Sequence, residues 1–200
     1  INLDNLLSTV ELYDPNEPDM LKRWSMVDSL SRQRVDHSAT LLHDGRVLVT
    51  AGSNHDGYQR TAEMYDPARS AGWSRTGDLP VPLFSHTATL LPSGKVLTAG
   101  GYGYEFTRRA FVYDQNVSEM RNRWGETGRM ATGRINHTAT LLPQGKVLVA
   151  GGFDGKSALT SAEEYDPTNQ RWSAAGDLIA ARIYHTATLL PGGKVLLAGG

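Results

Sequence analysis

Apolar and polar residues alternate over short stretches of this chain, which is the pattern of a β-strand with one buried face. The segment Thr9–Tyr13 places its valine and leucine on one side and its glutamate and tyrosine on the other. Runs such as His86–Leu91 and Lys146–Ala150 are rich in β-branched and apolar residues. No stretch shows a sustained period of 3.6 residues, so the pattern predicts an all-β protein.

The predicted strands recur in four units. The run His-x-Ala-Thr-Leu-Leu begins at four histidines separated by 49, 51 and 48 residues: His37, His86, His137 and His185. In every unit the second glycine of a closing pair, or of Ala51-Gly52 in the first unit, stands 15 residues after the histidine, and a tryptophan stands 13 residues before it. Fixed distances of this kind indicate packed elements, whereas the Tyr-to-Trp distance varies and indicates a surface loop.

Each unit predicts four strands, which we name a to d. Strand a is the His-x-Ala-Thr-Leu-Leu run, and a Pro-x-Gly turn leads into strand b, which ends at the glycine pair. Strand c ends in Tyr-Asp, and strand d carries the tryptophan. The units span 1–52, 53–101, 102–152 and 153–200, so the chain begins with strands c and d and ends with strands a and b.

A period of about 50 residues with four strands per unit is the kelch period. The Arg-x-x-His, Gly-Gly, Tyr-Asp-Pro and Trp markers resemble the kelch family over essentially the whole chain, and the wording is similar to bacterial kelch proteins and galactose-oxidase-like propellers. Leu83 interrupts the arginine series and Gln115 the proline series. The resemblance implies a single β-propeller domain over 1–200, or a four-repeat part of one, with each repeat forming a four-stranded antiparallel blade. It also favours a secreted or cell-surface bacterial protein, while the lack of cysteine is compatible with any compartment.

The unpaired strands at the two ends of the chain predict a closure. We expect Ser8–Tyr13 to pair with Lys194–Ala198, which removes an open sheet edge and closes a ring of four blades. Two alternatives remain: the repeats belong to a longer ring, or two chains self-associate and complete a ring of eight blades. The first residue is Ile, so we expect a processed product or part of a longer protein.

The recurring marker residues favour a structural role. The tryptophans and tyrosines are expected to pack between blades with their polar tips bonded to backbone, and the arginine and histidine of Arg-x-x-His are expected to tie loops together. A ring of the four histidines around a zinc or copper ion is the alternative. We favour the structural interpretation and expect no metal and no cofactor.

Composition excludes several function classes. The chain has 20 Lys+Arg and 21 Asp+Glu, a balance that argues against nucleic acid as a partner, and it has no apolar run long enough to span a membrane. Without cysteine it cannot form the tyrosine–cysteine cross-link that galactose oxidase uses beside its copper ion. Residues 150–157 match a relaxed phosphate-binding loop, but they precede a predicted strand rather than the helix that such a loop requires.

Function is therefore expected in the loops, where the four units differ from one another. The b–c and d–a loops emerge on one face of a propeller, and their aromatic, cationic and histidine-preceding residues form the candidate ligand site: His55, Tyr58, Arg60, Tyr102, Tyr104, Phe106, Arg108, Arg109, Phe153, Lys156, Asp36, Ser85, Asn136 and Tyr184. Tyr and Arg are enriched at interface hot spots, and aromatic faces stack on sugars, so a protein or a carbohydrate would fit. The sequence favours a non-catalytic interaction module; the alternative is the propeller portion of a larger, galactose-oxidase-like or other sugar-active enzyme.

Overall fold

The computed structural model describes residues 6–70 and 72–200 and contains three complete four-stranded antiparallel sheets, which we call blades 1 to 3. Blade 1 consists of β3 (Ser38–Leu41), β4 (Val47–Thr50), β7 (Ala62–Tyr65) and β8 (Trp73–Arg75), with a small hairpin β5 (Ser53–Asn54) and β6 (Gly57–Tyr58) in its b–c loop. Blade 2 consists of β9 (Thr87–Leu90), β10 (Val96–Ala99), β11 (Ala110–Tyr113) and β12 (Trp124–Glu126). Blade 3 consists of β13 (Thr138–Leu141), β14 (Val147–Ala150), β15 (Ser161–Asp166) and β16 (Arg171–Asp177).

Two half blades flank these sheets. The N-terminal half blade is β1 (Val10–Tyr13) paired with β2 (Trp24–Val27), and the C-terminal half blade is β17 (Thr186–Leu189) paired with β18 (Val195–Ala198). Short 3₁₀ turns at Met20–Lys22 and Met120–Asn122 lie between strands c and d. The predicted order of strands a, b, c and d is confirmed, and each complete blade joins strands a and b of one repeat unit to strands c and d of the next.

The expected ring closure is wrong within a single chain. β1 pairs with β2 and β18 pairs with β17, and there is no ladder between Ser8–Tyr13 and Lys194–Ala198. The innermost strands contact one another in chain order, β3 with β9, β9 with β13 and β13 with β17. The half blades therefore stand at opposite ends of a row of blades, too far along the row to meet.

Two apolar cores lie between blades rather than inside them. Leu42, Leu48 and Met64 of blade 1 pack against Val96 and Phe111 of blade 2. The next core repeats this arrangement with residues of blades 2 and 3: Leu91, Leu97, Ala99, Ala110, Met130, Val147, Val149 and Tyr165. Each sheet thus buries its faces against its neighbours, which is the reason the repeats fold as an array.

The tryptophans and tyrosines reach across these joints. The indole Nε1 of Trp124 donates to the Gly77 carbonyl of the preceding blade at 2.7 Å, and Trp73 and Trp172 make the corresponding bond. This confirms the backbone partners predicted for tryptophan. The tyrosines differ from expectation, because the Tyr113 hydroxyl bonds the Thr76 hydroxyl at 2.6 Å rather than a backbone group.

The histidines link the innermost strands. The Nε2 atom of His137 lies 3.1 Å from the Thr87 hydroxyl of the preceding blade, and His185 bonds Thr138 in the same way at 3.0 Å. Burial lowers the pKa of His137 to about 3, and it lowers the pKa of His86 to about 4. Both imidazoles are therefore neutral at physiological pH, as buried histidines without an anionic partner should be.

The arginine of Arg-x-x-His forms a buried ion pair with a glutamate that the sequence reasoning did not single out. The Arg134 guanidinium donates to a Glu163 carboxylate oxygen at 2.8 Å and to the Gly151 and Ser161 carbonyls at 2.9 and 2.8 Å. Glu163 also accepts from the backbone N–H of Ala131 at 2.7 Å. The pair is almost completely buried, and blade 1 repeats it with Arg34 and Glu63.

Blade 2 replaces this pair with apolar groups. Leu83 stands where the arginine would be and Phe111 where the glutamate would be, and both are buried in the core between blades 1 and 2. The N–H that would face the carboxylate is also removed, because Pro80 occupies the position of Ala131. The missing arginine at Leu83 is thus one part of a coordinated change at three positions.

The glycine pairs let neighbouring blades approach closely. A Cβ on Gly100, whose φ is +64°, would stand 2.6 Å from the Arg134 carbonyl oxygen of the next blade, and the N–H of Gly101 donates to that same oxygen at 2.8 Å. The Tyr-to-Trp loop of blade 2 also approaches its neighbour closely, because a Cβ on Gly77 would meet the Met120 carbonyl. That loop is therefore part of the joint and not merely a surface connection of variable length.

The Arg134–Glu163 pair generates a stability prediction. Arg134→Leu should lower the free energy of unfolding by about 3–5 kcal/mol, because it leaves the Glu163 carboxylate buried without its partner. Adding Glu163→Phe and Ala131→Pro should recover most of the loss by reproducing the arrangement in blade 2. Denaturant unfolding of the single and triple variants measures both values, and a triple variant no more stable than the single one would contradict the equivalence of the two arrangements.

Buried neutral histidines predict acid sensitivity. An unfolded histidine titrates near pH 6.5, whereas the pKa of folded His137 is about 3. Between these values the unfolded chain binds more protons, so stability should be complete above about pH 6.5 and fall as the pH is lowered toward 4. His137→Gln should flatten this slope in urea unfolding series at successive pH values; an unchanged slope would show that other groups set the acid sensitivity.

Candidate functional site: the loop face

The b–c loops and d–a segments meet on one face, which we call the loop face. Single antiparallel bridges join Val35 to Ser53, Phe84 to Tyr102 and Ile135 to Phe153, each linking the segment before a histidine to the loop after a glycine pair. These bridges confirm that both sets of loops emerge on the same side of the blades.

Five aromatic rings form a continuous row on the loop face. Tyr58 stacks on Phe84 with centroids 4.9 Å apart, and Tyr102 contacts both rings at 5.6 Å. Phe106 then contacts Tyr102 at 4.9 Å and Phe153 at 5.8 Å. The structure therefore brings together four of the predicted site residues and adds Phe84, which the sequence reasoning missed. Its signal is its position two residues before a histidine, where the other units carry Val35, Ile135 and Ile183.

The row is mainly a support for the loops. Phe106 lies between two rings, and a Cβ on Gly155 would stand 2.6 Å from it, so the next loop packs directly on this ring. Tyr104 is the opposite case, since 85% of its surface is exposed. Tyr184, 74% exposed, also points outward. Of the aromatic residues predicted for the site, Tyr104 and Tyr184 are the most available to a ligand.

A polar cleft of about 310 Å³ lies beside the row, between blades 2 and 3. It is lined by Glu105, Phe106, Arg108, Arg109, Arg129, Ala131, Thr132, Gly133, Asp154 and Lys156. Arg109 and Arg129 both pair with Glu126, at 2.7 and 2.8 Å, and Arg109 also lies over the ring of Phe111. The guanidinium of Arg109 is therefore fixed to its own blade.

Arg108 and Lys156 have a different environment. Neither side chain forms an ion pair with any residue of the described ranges, and both residues are exposed. The nearby Asp154 carboxylate accepts from the backbone N–H groups of Lys156 and Ser157, both at 2.8 Å, and these bonds lower its pKa. The turn that carries Lys156 is thus held in place by its own aspartate, and the cleft offers two cations that could meet an anionic group.

The blade 1 loop presents a separate set of predicted residues. His55 lies at the turn of the β5–β6 hairpin, and the exposed Arg60 stands 3.8 Å from Asp78, which Arg75 contacts more closely at 2.8 Å. The structure places these side chains at the end of the aromatic row, where Tyr58 lies, and away from the polar cleft.

The four residues that precede the histidines have a backbone role. Asp36, Ser85, Asn136 and Tyr184 all have positive φ values between 51° and 55°, a conformation that non-glycine residues seldom adopt. The Ser85 N–H donates to the Asp36 carbonyl at 3.0 Å, and the Tyr184 N–H donates to the Asn136 carbonyl at 3.2 Å. These residues connect successive d–a segments and give the loop face a common frame.

A larger cleft of about 730 Å³ lies on the opposite face, between the turns of blades 2 and 3. Sequence reasoning assigned little information to these turns. The lysines at the cleft are already paired, Lys95 with Asp114 at 3.1 Å and Lys146 with Glu164 at 2.7 Å. Its charged groups therefore bind the blades together and are less available than Arg108 and Lys156.

Two searches concern metals and membranes. Within residues 6–70 and 72–200 there is no group of three or more His, Asp or Glu side chains placed to bind a metal ion. In the same ranges, no helix combines the length and the apolar character needed to cross a bilayer.

Comparison with known proteins supports the family. Residues 136–179 match the family model described as Kelch motif, and this match spans blade 3. Blades 1 and 2 repeat the strand order of the matched blade. The chain is a kelch-repeat protein of the all-β, propeller-blade type. No curated protein matches the chain.

The two exposed and supporting aromatics predict different effects of truncation. Phe106→Ala should destabilise the protein by about 2 kcal/mol or more because it removes a ring packed between two others. Tyr104→Ala should change stability by less than about 0.5 kcal/mol, as surface substitutions do. Thermal unfolding of both variants checks this, and equal losses would show that Tyr104 also packs in the fold.

Proposed function

We propose that the protein is a non-catalytic binding module that holds a protein or carbohydrate ligand on its loop face. The observation that carries the proposal is the combination of an exposed aromatic, Tyr104, with two unpaired cations of the described chain, Arg108 and Lys156, on the same rigid support. Kelch propellers are commonly interaction modules, and a loop face on a rigid scaffold suits that role.

The chemistry of the cleft favours a ligand that has an anionic group beside a flat apolar surface. Arg108 and Lys156 would meet the anion, a carboxylate or sulfate of a sugar or an acidic side chain of a protein, and Tyr104 would stack on the adjoining surface. Because the aromatic row and the Asp154 turn already fix the loops, little ordering is needed on binding, and this preserves affinity.

An array experiment tests the proposal. The protein is applied to acidic peptides and to oligosaccharides that contain uronic or sialic acids, with neutral counterparts of each. Any ligand found should bind the Tyr104→Ala, Arg108→Ala variant more weakly by about 2 kcal/mol or more, the scale of hot-spot truncation. The unfolding temperature should be unchanged, because neither side chain is packed in a core.

The matched control is Ser93→Ala, an equally exposed change in a turn on the opposite face. It should leave binding unchanged. If both variants bind a ligand as the original chain does, the loop face is not the binding site. If the array ligands are neutral, the role of Arg108 and Lys156 is wrong.

A further inference from the structure

The two half blades are complementary parts of one blade. The C-terminal half blade consists of strands a and b, and the N-terminal half blade consists of strands c and d. In blades 1 and 3, strand b pairs with strand c in the same register, with Val47 opposite Tyr65 and Val147 opposite Tyr165. By this register β18 would pair with β1 so that Val195 stands opposite Tyr13.

The buried ion pair is also divided between the two half blades. Arg182 occupies the position of Arg134 and already donates to the Gly199 carbonyl at 2.7 Å, but its buried Nε has no partner. Glu11 occupies the position of Glu163 and is exposed, with no ion pair to any described residue. Each half blade thus carries one member of a pair that two complete blades bury.

Apolar side chains at the C-terminal half blade are left uncovered. Leu190 and Leu196 are exposed, by 36% and 53%. Their equivalents in blade 2, Leu91 and Leu97, are buried against the following blade. An exposed patch of this type on a propeller face marks an interaction surface.

A matching surface lies at the other end of the row. An apolar groove of about 640 Å³ separates the N-terminal half blade from blade 1, and Val10, Leu12, Val27, Val47, Val49 and Trp73 line it. Val47 and Val49 are the counterparts of Val147 and Val149, which receive the leucines of the preceding blade. The groove therefore has the composition required to receive Leu190 and Leu196.

Polar contacts of the joints are likewise divided. His37 is the one repeat histidine that is exposed, and Thr186 stands at the position of the threonines that bond His137 and His185. Trp24 is 61% exposed, whereas the equivalent Trp124 is buried and donates to a carbonyl of the preceding blade.

We propose that a second copy of this chain supplies the missing half: β18 of one copy pairs with β1 of the other, and Arg182 of one copy pairs with Glu11 of the other. The contact is head-to-tail, so each copy has one donor end and one acceptor end. Two copies contain six complete blades and four half blades, which combine into two more, giving a closed ring of eight blades. Eight lies within the usual range of propellers.

The experiment uses the 200-residue chain and its variants in analytical ultracentrifugation, with amide hydrogen exchange as a second measurement. The chain should be a dimer at micromolar concentration, with the amides of Val10–Tyr13 and Val195–Ala198 protected. Glu11→Phe, or Arg182→Leu with Ile179→Pro, should each raise the dissociation constant at least tenfold, because each leaves a buried charge without a partner.

Mixing the two variants separates a contact between copies from closure within one chain. In the mixed dimer, one joint contains the original Arg182 and Glu11, and the other contains leucine opposite phenylalanine, the combination that blade 2 uses at Leu83 and Phe111. The mixture should therefore regain the dimer. Glu105→Phe and Arg108→Leu, matched changes on the loop face, should leave the dimer intact.

Three results would overturn the proposal. A chain that remains monomeric with exchanging β1 and β18 amides has no such partner in a second copy. A monomer with protected amides closes on itself. A dimer that both variants leave unchanged uses a different surface. The retained near-UV circular dichroism of each variant shows that the three complete blades are folded, which keeps these outcomes interpretable.

Discussion

The fold depends on the constraint that each blade can bury its apolar faces only against another blade. A four-stranded sheet has two faces and no helix to cover either of them, so Leu91 and Leu97 must meet Val147 and Val149 of the next blade. The repeated markers serve this joint directly: the indole of Trp124, the imidazole of His137 and the N–H of Gly101 all bond across it. The loops are then free of packing duties at their tips, and Tyr104 can stand exposed there.

Most of the fold could be predicted from the sequence because it is written four times. The fixed distances between histidine, glycine and tryptophan reflect fixed contacts at each joint, and the four-strand order follows from them. Closure of the ring could not be predicted in this way. It depends on the rotation from one blade to the next, which the packing of many side chains sets and which no single spacing records.

The candidate site was partly predictable. Divergence among the b–c loops located Tyr102, Phe106 and Phe153, but their arrangement as one row depends on Phe84, which precedes a different strand in the chain. Charge pairing was also hidden from the sequence. Arg108 and Arg109 are adjacent, yet Glu126 engages Arg109, while Arg108 faces the cleft without an ion-pair partner in the described ranges.

The exchange of Arg and Glu for Leu83 and Phe111 restricts how such a protein can grow by duplication of gene segments. The two members of each pair lie on either side of strands a and b, so a crossover within those strands would join arginine to phenylalanine or leucine to glutamate. Either product buries a lone charge. Crossovers that preserve a folded product must instead fall between strand c and the next Arg-x-x-His, in the stretch that contains the Tyr-to-Trp loop. Repeat number could then change by whole pairs of matched residues, while chimaeras joined at other points would be removed by their own instability.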